Sequence, residues 1–190
     1  HWDLIGKELG LDKPVVVQYF VWMGNILRGD FGDSLAGKQP VTKVVGEKIP
    51  ATLQLGLTGW ALATVVGVPL GVLSAWKRGS VWDYIGRSFA LFGQALPQFW
   101  VGIMAVLLFA VILGWFPTGT RGDGFSIRHM ALPTVVIAWS AAAAYLRLTR
   151  SAMLEIKDSE YLKLARAKGV STKSLIWKHA FKNALISPLT

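Results

Sequence analysis

Three apolar runs dominate the pattern of the chain. Residues 51–76 and 88–116 contain no Asp, Glu, Lys, Arg or His over 26 and 29 positions. As α-helices they would measure about 39 Å and about 43 Å, more than the roughly 30 Å hydrocarbon core of a bilayer. A third run, residues 130–146, has 17 positions, and Arg147 and Arg150 can reach the lipid headgroups from its end. The pattern predicts an all-α integral membrane protein, with transmembrane helices over these three ranges.

The charges between the runs predict the orientation of the bundle. Segments 77–87 and 147–190 lie on the same side of three alternating spans, and together they hold 12 of the 20 basic residues. Lys and Arg concentrate in cytoplasmic loops. We therefore predict that loop 77–87 and segment 147–183 are cytoplasmic, and that segment 1–50 and loop 117–129 are extracytoplasmic.

Composition excludes several functional classes. The chain is 53% hydrophobic and 16% charged, with a net charge of +9, whereas an average soluble domain has about 25% charged residues. It contains no cysteine, which rules out disulfides, thiolate metal sites and thiol catalysis. The apolar runs contain no ionisable residue for a proton relay or an intramembrane active site. We expect no catalytic residue, no metal ligand and no cofactor bound by this chain.

The extracytoplasmic segment is predicted to be amphipathic. Pro14 suits the first position of a helix, and five apolar residues follow on one face at helical spacing: Val16, Tyr19, Phe20, Met23 and Leu27. Residues 41–49, between Pro40 and Pro50, predict a second short helix.

Both ends of the chain predict further spans. Residues 1–4 lack the pattern of a signal peptide, so an extracytoplasmic N-terminal segment requires a preceding span. Residues 184–190 have the character of the start of another transmembrane helix. We expect the sequence to be the middle part of a longer protein.

Polar and small residues inside the runs suggest where helices meet. Gly67 and Gly71 form a pair that lets two helices approach closely. Gln94, Pro97 and Gln98 form one polar turn at a break in a helix, which predicts that they line a translocation path. The alternative is that such groups only make interhelical hydrogen bonds.

The basic tail predicts a helix, a tight turn and a second helix. Tyr161, Leu164 and Ala165 fall on one face of the first helix, Gly169 can end it in a left-handed conformation, and Ser171 can cap the next. This layout suggests a membrane-tethered helix-turn-helix regulator that binds DNA. However, that domain needs a third helix. A charged helix pair beside a membrane span is better suited to docking on a cytoplasmic partner.

The tail also carries a more specific pattern. Residues 165–169 read ARAKG, and residues 179–188 read HAFKNALISP. This segment resembles the cytoplasmic EAA loop of ABC importer inner-membrane permeases, in the dipeptide, oligopeptide and nickel (B-type) branch of the binding-protein-dependent transport family. Residues 9–14, 29–32 and 50–53 are similar to the same branch. One departure is that Lys163 occupies the position of the name-giving Glu.

The resemblance implies a transporter subunit, not an enzyme, within a heteromeric complex in the bacterial inner membrane. A second permease would complete the path for peptides, nickel or other small solutes, surrounded by membrane lipid. Two cytoplasmic ATPase subunits would bind ATP and Mg²⁺, an extracytoplasmic binding protein would deliver the substrate, and no nucleic acid would be involved. The resemblance assigns the docking of the ATPase subunits to Glu160, Tyr161, Lys163, Leu164, Ala165, Arg166, Ala167, Lys168 and Gly169.

Overall fold

The computed structural model describes residues 13–34, 37–119 and 126–184. These residues are helical and contain no strand, only a single β-bridge between Asp33 and Pro40. The predicted all-α class is confirmed. The helices are α1 Val15–Leu27, α2 Val41–Trp76, α3 Val81–Ala95, α4 Gln98–Ile112, α5 Ile127–Lys157, α6 Glu160–Ala167 and α7 over residues 172–184. Parts of the predicted segments 1–50, 117–129 and 184–190 lie outside the described residues.

The chain divides into two compact units, His1–Leu53 and Gln54–Thr190. In the first unit, α1 confirms the helix predicted after Pro14, while the amphipathic role of its apolar face stays a prediction. It ends in a Schellman motif, in which Gly29 has φ 82° and the N–H of Asp30 donates to the Asn25 carbonyl at 2.9 Å. No residue of α1 is buried in the described structure.

Helix α2 corrects the prediction of a separate short helix over residues 41–49. It continues through Pro50 to Trp76 as one element of 36 residues. A proline inside a helix removes one backbone N–H and crowds the carbonyl four residues earlier, and membrane helices tolerate this interruption when neighbouring groups satisfy the freed carbonyl. The predicted span 51–76 is therefore part of a longer helix.

Two helices, α2 and α5, are long and apolar enough to cross a membrane, and the pair α3 and α4 adds a third crossing if it counts as one span. The chain is a membrane-embedded protein. Helix α5 contains the predicted span 130–146 and extends it at both ends to 31 residues. Which side of the membrane each loop occupies remains a prediction.

The predicted span 88–116 is not one continuous helix, and the break predicted at Pro97 is confirmed. Helices α3 and α4 meet at an angle of 101°. Pro97 causes this break, because a proline disfavours helical geometry in the preceding residue, and Leu96 is extended, with ψ 129°. Loop 77–87 is also shorter than predicted, since α3 already begins at Val81. Ser80 lies at its N-cap position and Asp83 in its first turn, where a carboxylate is favourable.

Small residues bring α2 and α5 into backbone contact within the second unit. A Cβ atom on Gly67 would lie 2.5 Å from the Ala142 carbonyl oxygen, and one on Gly71 would lie 2.7 Å from that of Leu146. Only glycine permits these two approaches, so the close contact predicted from their spacing is confirmed. Helix α3 packs on the same helix α5, where the Phe89 and Trp139 rings meet edge to face at 4.8 Å.

Candidate functional site

Helix α6 is a short helix closed by a sharp turn. The N–H of Gly169 donates to the Arg166 carbonyl at 3.0 Å, and the N–H of Val170 donates to the Ala165 carbonyl at 3.3 Å. These two bonds form a Schellman motif. Gly169 has φ 78°, so the predicted left-handed end of the helix is confirmed. Ser171 lies at the predicted N-cap position of α7, but its side chain makes no capping hydrogen bond.

The inner face of α6 is anchored in a hydrophobic cluster. Leu162 and Ala165 are buried, with 1% and 8% of their surface exposed. The cluster around them combines the end of α2, the end of α5 and one face of α7. Its other buried residues are Val72, Ala75, Ala152, Met153, Leu175, Ala180 and Ala184. A movement of α6 would therefore act directly on the ends of two long helices.

The outer face of α6 is exposed and mixed in character. Tyr161 and Leu164 are 51% and 60% exposed, whereas Ala165 is buried. The three residues are therefore not buried together, and in this respect the prediction that they share one face of the helix is wrong. The reason is that Leu162, one position along, points into the cluster. The Lys163 ammonium donates to the Glu160 carboxylate at 2.7 Å, and this hydrogen bond raises the pKa of Lys163. The Tyr161 hydroxyl lies 2.6 Å from His179 Nδ1.

The remaining predicted docking residues complete this outer face. They are all exposed, and they add basic charge and the turn at the end of the helix: Arg166, Ala167, Lys168 and Gly169. Apolar, aromatic and basic groups are thus presented together on eight residues of helix and the turn that follows. Such a face fits a groove on a protein partner.

The DNA-binding alternative is not supported. A recognition helix must present its side chains to the major groove, yet α7 buries Leu175, Ala180 and Ala184 against the ends of α2 and α5. The helix pair is therefore part of the membrane bundle and does not form an independent domain.

A buried ion pair joins three helices at the same end of the bundle. The Asp83 carboxylate accepts hydrogen bonds from Arg150 Nε at 2.8 Å, from Ser74 Oγ at 2.7 Å and from the Gly79 N–H at 2.9 Å. Its side chain is 1% exposed. Arg150 is thus directed inward, which corrects the expectation that it reaches the headgroups. Sequence reasoning missed this cluster; the one available signal was a lone acidic residue between three basic residues in segment 77–87.

Lys157 makes a second polar contact beside this ion pair. Its ammonium donates to the carbonyls of Ala75 at 3.2 Å and Trp76 at 2.8 Å, and it lies over the Trp76 ring at 5.4 Å. A cation at this position neutralises the negative end of the helix dipole of α2. The last turn of α5 is therefore tied to the last turn of α2, just before α6 begins.

The predicted pathway residues lie at the break between α3 and α4. Gln94, Pro97 and Gln98 are all exposed, and Pro97 occupies the N-cap position of α4. Gln94 lines a groove of about 590 Å³ between α3 and α5, but Pro97 and Gln98 do not. Their role in a translocation path stays a prediction.

The described residues contain no group of three or more His, Asp or Glu side chains able to hold a metal ion. The described residues combine packed helices, a buried ion pair at the Asp83 carboxylate and the exposed outer face of α6.

Comparison with known proteins places this arrangement in a family. Residues 67–190 match the family of binding-protein-dependent transport system inner membrane components, and the chain belongs to this family. The family is a transporter component and not an enzyme.

Individual relatives match almost the whole chain. The oligopeptide transport system permease protein AppB of Bacillus subtilis is 40% identical over 97% of the chain. The di/tripeptide transport system permease protein DppB of Pseudomonas aeruginosa is 37% identical over 96%, and OppB of Haemophilus influenzae, an oligopeptide permease protein, is 36% identical over 98%. The chain spans 61% to 62% of the length of these relatives.

Proposed function

We propose that the protein is a permease subunit of an ATP-driven ABC importer in the bacterial inner membrane. With a second permease subunit it encloses a translocation path, and it transmits the motion of two cytoplasmic ATPase subunits through α6. The observation that carries this proposal is the two-faced helix α6, whose Leu162 and Ala165 are buried against the ends of α2 and α5 while Tyr161 and Leu164 are exposed.

The contacts of α6 support a lever mechanism. Closure of the ATPase pair around ATP and Mg²⁺ would displace α6, and the buried cluster would carry this displacement to α2 and α5. Because packed cores resist compression, a push on one end of such a cluster moves its members together. The spans would then alternate between outward-open and inward-open states.

Peptides are the proposed substrates, delivered by an extracytoplasmic binding protein. The relatives are named for transport of oligopeptides or of di- and tripeptides. The predicted spans hold no charged residue that would select a particular ion. In this topology α6 and segment 147–183 are cytoplasmic, and α1 is extracytoplasmic.

The proposal is tested with the full-length subunit co-expressed with its partner permease and ATPase subunits. Leu164→Glu places a charge on the exposed docking face without altering the buried cluster. Val16 is similarly exposed, at 66% against 60% for Leu164, and lies on α1, so Val16→Glu is the matched control. Leu164→Glu is expected to abolish co-purification of the ATPase subunits, while Val16→Glu retains it.

Proximity can be measured by cysteine cross-linking, because residues 1–190 contain no cysteine. Any cysteine elsewhere in the full-length subunit is first replaced by serine. A single cysteine at position 164 is expected to form a cross-link with the ATPase subunit, and a single cysteine at position 16 is not. Loss of ATPase binding in both glutamate variants, or in neither, would contradict docking through α6. If the wild-type complex binds its ATPase subunits but takes up no peptide in liposomes, only the substrate assignment is overturned.

A further inference from the structure

The groove between α3 and α5 combines one basic end with a mostly apolar wall that also includes Gln94 and Ser151. Arg87, Arg147 and Arg150 line it together with Ala90, Leu91 and Leu146. Its volume of about 590 Å³ lies within the roughly 300–1,000 Å³ of typical ligand sites. All of these residues belong to the second unit of the chain.

The positive charge of the groove arginines exceeds the negative charge of the acidic side chain beside them. The Asp83 carboxylate lies beside them and forms an ion pair with Arg150 at 2.8 Å. Arg87 lies 3.7 Å from the same carboxylate and over the Tyr84 ring at 4.6 Å. Arg147 has no ionic partner among the described residues and is exposed. Three guanidinium groups therefore line the groove, and only two of them lie beside the one carboxylate. This leaves a net positive end that is complementary to an anion.

The position of this charge along the helices indicates the kind of anion. Arg87 immediately precedes the apolar run 88–116, and Arg147 immediately follows the run 130–146. Both guanidinium groups therefore lie at the boundary between the hydrocarbon core of the bilayer and its headgroups. From that level Leu91 and Ala95 continue along α3 as an apolar wall. An ion in solution needs no such wall, whereas a phospholipid presents a phosphate followed by an acyl chain.

We propose that this groove binds an anionic phospholipid, with its phosphate at Arg87 and Arg147 and one acyl chain along Leu91 and Ala95. Basic pockets between membrane helices are suited to acidic headgroups. The proposal does not depend on the transported substrate, so it can hold or fail independently of the proposed function.

The test compares lipid preference in two charge-matched double variants and one single variant. The full-length subunit, in its complex, is reconstituted into nanodiscs of phosphatidylglycerol and phosphatidylcholine. The lipid retained by the protein is then measured by native mass spectrometry. The double variant Arg87→Gln/Arg147→Gln removes two groove arginines and keeps Arg150, which donates the hydrogen bonds to Asp83. Arg78→Gln and Arg78→Gln/Lys77→Gln remove charge from the same end of the bundle but outside the groove, because Lys77 and Arg78 are exposed in the turn after α2.

We expect wild-type protein to retain phosphatidylglycerol over phosphatidylcholine, and each groove arginine to contribute about fivefold to this preference. The groove variant should lose most of the preference, while both turn variants keep it. An equal loss in groove and turn variants would show only a general attraction to a basic edge and would overturn the site. Full displacement of the lipid by inorganic phosphate would also overturn it, since the ligand would then be the free anion.

A photoreactive amino acid at position 91 distinguishes a lipid in the groove from a protein partner that covers it. Capture of phosphatidylglycerol supports the proposal. Capture of the second permease subunit at that position shows that the groove is a protein interface and refutes it.

Discussion

Asp83 offers the sharpest test of how the end of the bundle is held together. Its carboxylate lies on α3 and accepts hydrogen bonds from Ser74 of α2, from Arg150 of α5 and from the backbone of Gly79. Replacement by alanine removes all of these acceptors at once. It also leaves the Arg150 guanidinium, whose side chain is only 20% exposed, without its counter-charge.

The expected cost follows from this geometry. Removing one partner of a buried ion pair costs about 3–5 kcal/mol, mainly because the other charge is left uncompensated. Arg150 keeps partial solvent access and a hydrogen bond to Ser74 Oγ at 3.1 Å, so we expect the lower end, about 3 kcal/mol, for Asp83→Ala. Arg150→Ala should cost a similar amount, since it leaves the Asp83 carboxylate buried.

The double variant Asp83→Ala/Arg150→Ala removes both charges together and should cost far less than the two single changes combined. We expect a coupling energy of about 2–3 kcal/mol between the two positions. The measurement is the free energy of unfolding of the purified full-length subunit in mixed micelles, followed by tryptophan fluorescence. Single-variant costs that add within about 0.5 kcal/mol would refute the ion pair as the element that joins the three helices.

Three further changes test the packing and the turn. Gly67→Val is expected to lower the free energy of unfolding by about 1–3 kcal/mol, because the contact with the Ala142 backbone leaves no room for a side chain. Gly56→Val is the control: a Cβ atom there meets open space, and this variant should match wild type. Leu162→Ala should lower the unfolding free energy by about 2–5 kcal/mol through loss of buried contacts, while Leu164→Ala should leave it unchanged but weaken ATPase co-purification. Gly169→Ala should cost about 1–2 kcal/mol from its left-handed backbone, whereas Gly169→Asn should cost less because asparagine tolerates that geometry; equal costs for both would contradict the backbone origin.

Much of the helical framework is predictable from the sequence, because its signals are local. Uninterrupted apolar runs indicate the long helices, the four-residue spacing of Gly67 and Gly71 indicates a close approach, and Gly169 indicates the turn after α6. Each of these features depends on residues within a few turns of one another. The resemblance of the tail to the EAA loop likewise depends on a contiguous segment.

The features that could not be predicted depend on partners distant in the sequence. Asp83 stands 67 positions from Arg150, and a charge count treats both as surface residues. The break before α4 is predictable from Pro97, but its angle of 101° is not, because no local pattern specifies the direction that the chain takes after the break. Leu162, and not Leu164, is buried because the cluster formed by α2, α5 and α7 determines which face of α6 is covered.

The glycine face of α2 has a consequence for how the bundle can move. Neighbouring residues of a helix lie about 100° apart around its axis, so a rotation of α2 by that angle would turn Val66 or Val68 toward the Ala142 backbone that Gly67 now meets. The glycine face therefore fixes which side of α2 meets α5 and opposes rotation of one helix against the other. A rearrangement of the second unit that keeps this contact must change shape elsewhere, and the break before α4 is one such joint.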